Sequence, residues 1–331
     1  MGRAVQDSKL SVILLGTIAG PPPTPEQAGI SSVVVVDGMS YVVDCGRSAV
    51  TQYQRAGLKF GALRNIFLTH LHADHVADYY NFFLLGGVTP HPGGDAVPAG
   101  VGVYGPGRAG GLPPAFGNVE VATVAPEDPT PGTVDMTNHC HRAFAYSSNV
   151  FLRDTGQRDP RDLVDAHDIE LPRDIHADAL NERAPLMEPF VVMEDDRVRV
   201  SATLVPHGPV FPSYAFRFDT EHGSVTFSGD TRRSENLIRL ARSSDVLVHE
   251  ALRIPSPDSL TPVALDHMLQ SHVLVEDLGE IAESAGVRHL VVSHNQDFGG
   301  TIDRTQWARL AQRNFSGLVT IGSDLASIPV A

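Results

Sequence analysis

An α/β fold built on mixed sheets is what this chain of 331 residues predicts, and three observations carry it. Short runs rich in Val and Ile, punctuated by Gly and Pro, occupy the first 90 residues, as strands do. Regular alternation returns at Val198 as a run of antiparallel strands. From Glu235 onward helix-like and strand-like segments alternate at the spacing of parallel βαβ units.

Taken in order, residues 11–15, 32–36 and 41–43 read as strands, residues 49–56 as a helix ending at Gly57, and residues 66–68 as a short buried strand. Residues 91–196 have a different texture. Between Gly86 and Gly132 there are 12 Gly and 9 Pro in 47 residues, which predicts loops and turns. Between Glu120 and Asp196 there are 17 acidic residues against 6 arginines, a net charge of -11. Apolar side chains including Phe144, Tyr146, Phe151, Leu152, Leu163 and Ile169 are dense enough there to order the segment. Strands follow at 198–205, 214–219 and 224–228, with Glu221-His222-Gly223 as the turn between the last two. Helices are expected at 235–242 and 273–285, the latter ending at Gly286, and strands at 246–249 and 290–293.

Composition removes several classes. Apolar residues at 42% and aromatics at 7% suffice for a packed core and exclude a disordered chain. The length suggests two domains, or one with a large insertion. A net charge of -14 lacks the basic footprint of a nucleic-acid binder. No run of about 18 apolar residues offers a membrane span. The N-terminus has no apolar stretch leading to a small-residue cleavage site, and two cysteines, Cys45 and Cys140, build no disulfide framework. A cytoplasmic location is the expectation.

The sharpest chemical signal is Thr69-His70-Leu71-His72-Ala73-Asp74-His75, set between a strand and a helix. On an extended segment residues two apart point the same way, so His70 and His72 can share one metal ion. The turn into the helix lets Asp74 and His75 face a second ion. Imidazole suits zinc, and a carboxylate suits zinc, iron or manganese. Two ions need more ligands, and three candidates end strands: Pro206-His207-Gly208, Ser228-Gly229-Asp230-Thr231 and Ser293-His294. In βα architectures strand C-termini line the site. Asn138-His139-Cys140-His141 has metal-like composition but no companion cysteine pair, His222 reads as a turn residue, His249 as a support or core residue, and His267 has no assigned role.

The order His-x-His-x-Asp-His, His, Ser-Gly-Asp-Thr, Ser-His resembles that of metallo-β-lactamase-fold hydrolases with two metals. Within them it looks most like the ribonuclease Z-like branch, which also holds arylsulfatase-type and cyclic phosphodiesterase members. Leu15-Gly16-Thr17, Val43-Asp44-Cys45-Gly46, Val248-His249-Glu250-Ala251 and Ser271-His272 support the branch. The resemblance covers residues 10–88 and 198–298 and misses the middle.

It implies an αββα sandwich, with residues 1–90 and 197–331 as the catalytic domain and residues 91–196 as an inserted lid. His70, His72 and His207 would hold one zinc, Asp74, His75 and His294 the other, and Asp230 would bridge both; Mn2+ or Fe2+ could replace zinc. A hydroxide between the metals would attack, with Asp74 helping to orient it. His272 would stand near the leaving group with Glu250 as its orienting partner, since a carboxylate favours the protonated imidazole. Asp44 and Thr69 would support the ligands.

The family pattern also fails in places. Transfer-RNA-processing members carry a basic pair where this chain has Glu26-Gln27, and a long arm between the third and fourth metal motifs, where this chain has only 207–230. The acidic insertion opposes a polyanion. The expected substrate is therefore a small molecule with an ester-type bond, held under a lid with Tyr104, Phe116, Phe144, Tyr146, Phe151, Phe211 and Tyr214 as candidate walls. No membrane or nucleic acid is expected as a partner, and a homodimer is compatible with this reading. A ribonuclease Z-type transfer-RNA 3′ endonuclease and a non-hydrolytic metal-binding or redox member are the alternatives.

Overall fold

The computed structural model describes residues 8–89, 91 and 93–330, and the chain divides into two compact units. The first comprises the residues up to Gly107, Gly132–Ile169 and Ser323–Pro329; the second comprises Arg108–Pro131, Glu170–Gly322 and Val330. Among the described residues no helix is long and apolar enough to cross a membrane.

The first unit holds one seven-stranded sheet. Its strands are β1 (Leu10–Gly16), β2 (Ser31–Val36), β3 (Met39–Val43), β4 (Leu63–Phe67), β5 (Val101–Pro106) and β6 (Val164–Ile169), with the last strand of the chain, β14 (Ala326–Pro329), beside β1. Neighbours run antiparallel from β14 through β1 and β2 to β3, and parallel from β3 through β4 and β5 to β6. Ile13, Leu15, Val33, Val35 and Val42 pack with Val50 and Tyr53 of the helix Ala49–Arg55, and with Phe82 and Phe83, into one buried cluster. That helix ends where Gly57 takes φ 79, a left-handed turn that glycine adopts without strain.

The second unit holds another seven-stranded sheet: β7 (Phe190–Glu194), β8 (Val198–Leu204), β9 (Tyr214–Thr220), β10 (Gly223–Phe227), β11 (Val246–Arg253), β12 (His289–Asp297) and β13 (Leu318–Ile321). It repeats the plan of the first. Neighbours are antiparallel from β7 to β10 and parallel from β10 to β13. Leu237, Leu247, Val275, Ile281, Leu290 and Trp307 belong to its core.

The segment 91–196 matches its expectation in part. Most of its residues are loop and turn, but it is not without regular structure: β5, β6 and β7 belong to the two sheets and helices cover Thr133–Ala143 and Ala145–Asp154. It is not docked by the aromatic residues: Phe151 is exposed, Tyr146 is 85% exposed, and Phe144 is 39% exposed although it stacks on Tyr80. The helix Thr133–Ala143 is held instead by Met136 and Cys140 against the first core, and by Thr133 and Thr137 bonding to Pro106 and Tyr79. Small hydroxyl residues bury at close range with their hydrogen bonds made, a signal that an apolar count overlooks. The turn-rich stretches that remain, 107–132 and 170–189, lie almost wholly in the second unit.

Three smaller differences matter for the site. Strands β11 and β12 run on to Arg253 and Asp297, past the expected ends at His249 and Ser293, because their pairing shifts by a bulge between His249 and Ala251 and then resumes. The helix expected at 273–285 begins only after Leu274, since the Val273 amide is bonded to Glu250. A helix not foreseen, Pro262–Ser271, precedes it, with Thr261 capping the Ala264 amide and proline in its first turn.

Candidate metal centre

In the first unit the chain leaves β4 and crosses Thr69 to His75 before the one-turn helix Ala73–Val76. His70, Asp74 and His75 are buried and His72 is half-buried. The rings of His70 and His72 lie 4.7 Å apart, and those of His70 and His75 4.0 Å apart. His75 Nε2 is 3.6 Å from Asp74 Oδ2.

Asp44, in the left-handed region at φ 58 just after β3, organises this set. One oxygen accepts the Thr69 N–H at 2.8 Å; the other accepts the Thr69 hydroxyl at 2.8 Å and faces His75 Nδ1 at 2.8 Å. A carboxylate draws the imidazole proton to the nitrogen facing it, so His75 Nε2 keeps a lone pair beside Asp74. Thr69 Oγ1 also lies 3.1 Å from His70 Nδ1. The supporting roles expected of Asp44 and Thr69 thus correspond to observed bonds. Cys45 is wholly buried, and burial, then Asp44 and Asp78, push its thiol pKa well up.

In the second unit His207, Asp230, Glu250 and His294 are buried and His272 is half-buried. His207 Nδ1 lies 3.0 Å from the Ser271 carbonyl. A carbonyl only accepts, so Nδ1 carries the proton and Nε2 presents a lone pair, 3.9 Å from Asp230 Oδ2. Asp230 Oδ2 is 3.3 Å from His294 Nε2 and 4.0 Å from His272 Nδ1. Ligand atoms of His207, Asp230 and His272 all lie within 4.8 Å of one another, as do those of Glu250, His272 and His294. Buried lone pairs converging at such spacing repel unless a cation or a proton lies among them, so this donor set fits a metal ion. His294 sits at φ 56, where a non-glycine residue is strained, and Gly229 before Asp230 at φ 58.

Glu250 is no surface charge. Its Oε1 accepts the Val273 N–H at 2.8 Å, and its Oε2 is 3.3 Å from His272 Nδ1. His272 caps the C-terminus of the helix Pro262–Ser271. His249 is fully buried, bonded to the Glu250 carbonyl at 2.7 Å, and burial lowers its pKa. His141 bonds to the Tyr80 hydroxyl at 2.7 Å, and His222 sits beside Glu221. His267, which had no assigned role, lines a cavity, and burial followed by His272 lowers its pKa.

That cavity lies within the second unit and measures about 620 Å³. Pro113, Pro114 and Phe116 form part of its wall, with 181–184, Pro206, Gly208 and Pro209, Arg232 and the helix residues Val263, Asp266, His267 and Gln270. Of the aromatic walls expected, only Phe116 lines it. Tyr104 stacks between Phe67 and His167, and Tyr214 is fully buried.

A family model described as anti-Pycsar protein Apyc1 matches residues 19–80. The chain is 27% identical over 321 residues to a ribonuclease Z of Mycobacterium bovis (strain BCG / Pasteur 1173P2), covering 97% of this chain and 98% of that protein. In structure it is similar to the human tRNase Z, short form, with a TM-score of 0.63 at 19% identity over 97% of this chain and 99% of the other. It is also similar to zinc-bound PqqB from Methylobacterium extorquens, with a TM-score of 0.55 at 14% identity over 96% and 99%. The near end-to-end alignment with the mycobacterial protein corrects the expectation that the resemblance misses the middle of the chain. The fold is that of the metallo-β-lactamases, two mixed sheets flanked by helices.

Proposed function

We propose, since the chain is a ribonuclease Z-like, metal-dependent hydrolase of the metallo-β-lactamase superfamily, that it hydrolyses a small molecule at an ester-type bond (phosphodiester, sulfate ester or lactone) with two zinc ions. His70, His72 and His207 hold one ion in this reading, Asp74, His75 and His294 the other, and Asp230 serves both, with Mn2+ or Fe2+ as substitutes. Such ions, once bound, would lower the pKa of water to about 7 and polarise the scissile bond.

The remaining work falls to side chains. Asp44 and the Ser271 carbonyl fix which nitrogens of His75 and His207 are bare. Asp74, held by the Gly20 amide at 3.1 Å, orients the attacking water. His272 delivers a proton to the leaving oxygen, with Glu250 at its Nδ1 stabilising the charged ring.

The observation that carries the small-molecule reading is the cavity. Its volume of about 620 Å³ lies within the range of roughly 300–1,000 Å³ that small ligands occupy, and its wall includes Pro206 and Gly208, the chain neighbours of His207, and residues of the helix Pro262–Ser271. Residues of the turn-rich stretches, Pro113, Pro114, Phe116 and 181–184, supply much of its wall, which supports their role as a lid. The net charge of the whole segment is not the charge of the cavity: Arg183 and Arg232 stand there against Glu182 and Asp266. Anionic esters therefore belong among the candidates with neutral ones.

The second reading, a transfer-RNA 3′ endonuclease, is favoured by the mycobacterial relative named ribonuclease Z. Against it, the interval from His207 to Asp230 is filled by the hairpin β9–β10 with no room for an arm. Hydrolysis of aryl phosphodiesters, aryl sulfates and lactones, run beside cleavage of a 3′-extended transfer-RNA precursor, tests the choice. Turnover of a small ester at a kcat/KM above that for the precursor is expected. Precursor cleavage alone, with binding that weakens steeply in salt, overturns the proposal.

A further inference from the structure

We infer that Asp324, a residue some 250 positions from Asp74 in sequence, is a positioning residue for it, acting through the Gly20 amide. This rests on the proposed role of Asp74 as a metal ligand. Gly20 lies in the loop that joins β1 to β2, takes φ 83, and donates its N–H to Asp74 Oδ2 at 3.1 Å. A bond to a carboxylate sets the direction in which the remaining lone pairs face, and outer partners of this kind tune metal affinity. A backbone amide on a surface loop fixes nothing, however, unless the loop itself is held.

Asp324 holds it at both ends. One carboxylate oxygen accepts the Thr17 hydroxyl at 2.8 Å, just before Gly20, and the other accepts the Ala28 N–H at 2.6 Å, where the loop returns. The Ile18 N–H donates to the Ala28 carbonyl at 3.3 Å, and Gln27 Nε2 to Thr17 Oγ1 at 3.4 Å, closing the neck. Gly16 and Gly29 meet so closely there that a Cβ on Gly16 would run into the Gly29 carbonyl. Arg47 adds a second fastening, its Nη2 donating to the Thr24 and Gln27 carbonyls at 3.1 and 2.5 Å. Asp324 is itself fixed, because the next residue, Leu325, donates its N–H to the Leu14 carbonyl of β1 at 2.6 Å.

The chemistry of the clamp dictates the test. Both oxygens of Asp324 face donors, so an amide of the same shape satisfies one and presents its own N–H groups to the other. Asp324→Asn and Thr17→Val are compared with wild type by titrating metal-free full-length protein with zinc against a competing chelator, and by thermal unfolding of the metal-free protein. Asp324→Asn is expected to weaken one of two zinc ions by about 10- to 100-fold and leave the other unchanged. Thr17→Val, which removes one of the clamp's bonds, shifts the same ion less.

Two unaltered zinc affinities in Asp324→Asn, with only a lower unfolding temperature, make Asp324 a sheet-edge residue and overturn the inference alone. Fewer than two ions on wild type overturns the assignment of Asp74 and the inference with it. If Asp324→Asn fails to fold, Thr17→Val decides by the same readout.

Discussion

The two sheets follow one plan, three antiparallel pairings and then three parallel ones, yet they furnish their chemistry differently. In the first unit the metal-type side chains follow a single strand and lie within six residues, His70 to His75. In the second, His207 follows β8, Asp230 follows β10, Glu250 and His294 lie within β11 and β12, and His272 follows the helix Pro262–Ser271. The equivalent carboxylates diverge as well. Asp44 follows β3 and binds Thr69 and His75, whereas Asp230 follows β10 and stands among three histidines. In the first unit a side-chain carboxylate, Asp44, faces His75, and one main-chain group, the Gly20 amide, bonds Asp74. In the second the partners are main-chain groups, the Ser271 carbonyl at His207 and the Val273 amide at Glu250.

The largest effect should come from Asp230. Wild-type protein purified without chelator is expected to hold about two metal equivalents, and less than about half an equivalent in active protein contradicts the two-ion reading. Asp230→Ala removes a ligand proposed for both ions, so metal content should fall for both, with a loss of turnover of more than about 10⁴-fold, beyond that of a missing general acid. Retention of both ions would place Asp230 with Asp44, as a support.

Next is His272→Ala. It should leave metal content at the wild-type level and slow turnover by about 10² to 10⁴-fold. The slowing should shrink with nitrophenol as leaving group, which departs without a proton. An emptied metal site in this variant would make His272 a ligand, a role its position within 4.8 Å of Asp230 and His207 ligand atoms leaves open to measurement.

Asp44→Asn tests the contrast directly. The amide cannot accept from Thr69 and His75 as the carboxylate does, so affinity for one ion should fall by about 10- to 100-fold. No side-chain substitution removes the Ser271 carbonyl that orients His207, so Ser271→Ala should leave metal affinity near wild type. An equal loss in both would erase the distinction between the two modes of support.

What could be read from the sequence follows the same divide. Strands β1 to β4 and β8 to β12 and the first histidine set show in local patterns, Val/Ile runs and a dense motif, whereas β7, β13 and β14 escape them. The dispersed residues became legible only through order along the chain, since a lone Pro-His-Gly or Gly-Asp-Thr also reads as a turn or a cap. Strand β5 was hidden because its segment, Val101–Pro106, pairs on both sides despite its Gly and Pro content, with Gly102 and Gly105 allowing close approach of Asn65 and Thr133. The helix Pro262–Ser271 carried a readable start in Thr261-Pro262. The Glu250 contact depends on a bulge, a register event that no one-dimensional pattern encodes.

The smallest effect concerns the wall of the cavity. Phe116 is 55% exposed and lines it, so its contact with a substrate should be partial. Truncation to alanine is expected to cost about 0.5–1.5 kcal/mol of binding, a rise in KM of roughly 2- to 10-fold with kcat unchanged, since the contact serves ground and transition state alike. Limited proteolysis gives the same claim a second reading. Between residues 119 and 132 no helix or strand is present and Val121 and Val124 are exposed, whereas residues 133–154 are helical but for Phe144 and 164–169 are strand. Cutting should therefore concentrate at 119–132, slow when product is bound, and raise KM once complete. Rapid cutting throughout 120–190 in both states, with activity retained, would instead make the stretch dispensable and leave the cavity's wall to the helix Pro262–Ser271 and Pro206–Pro209.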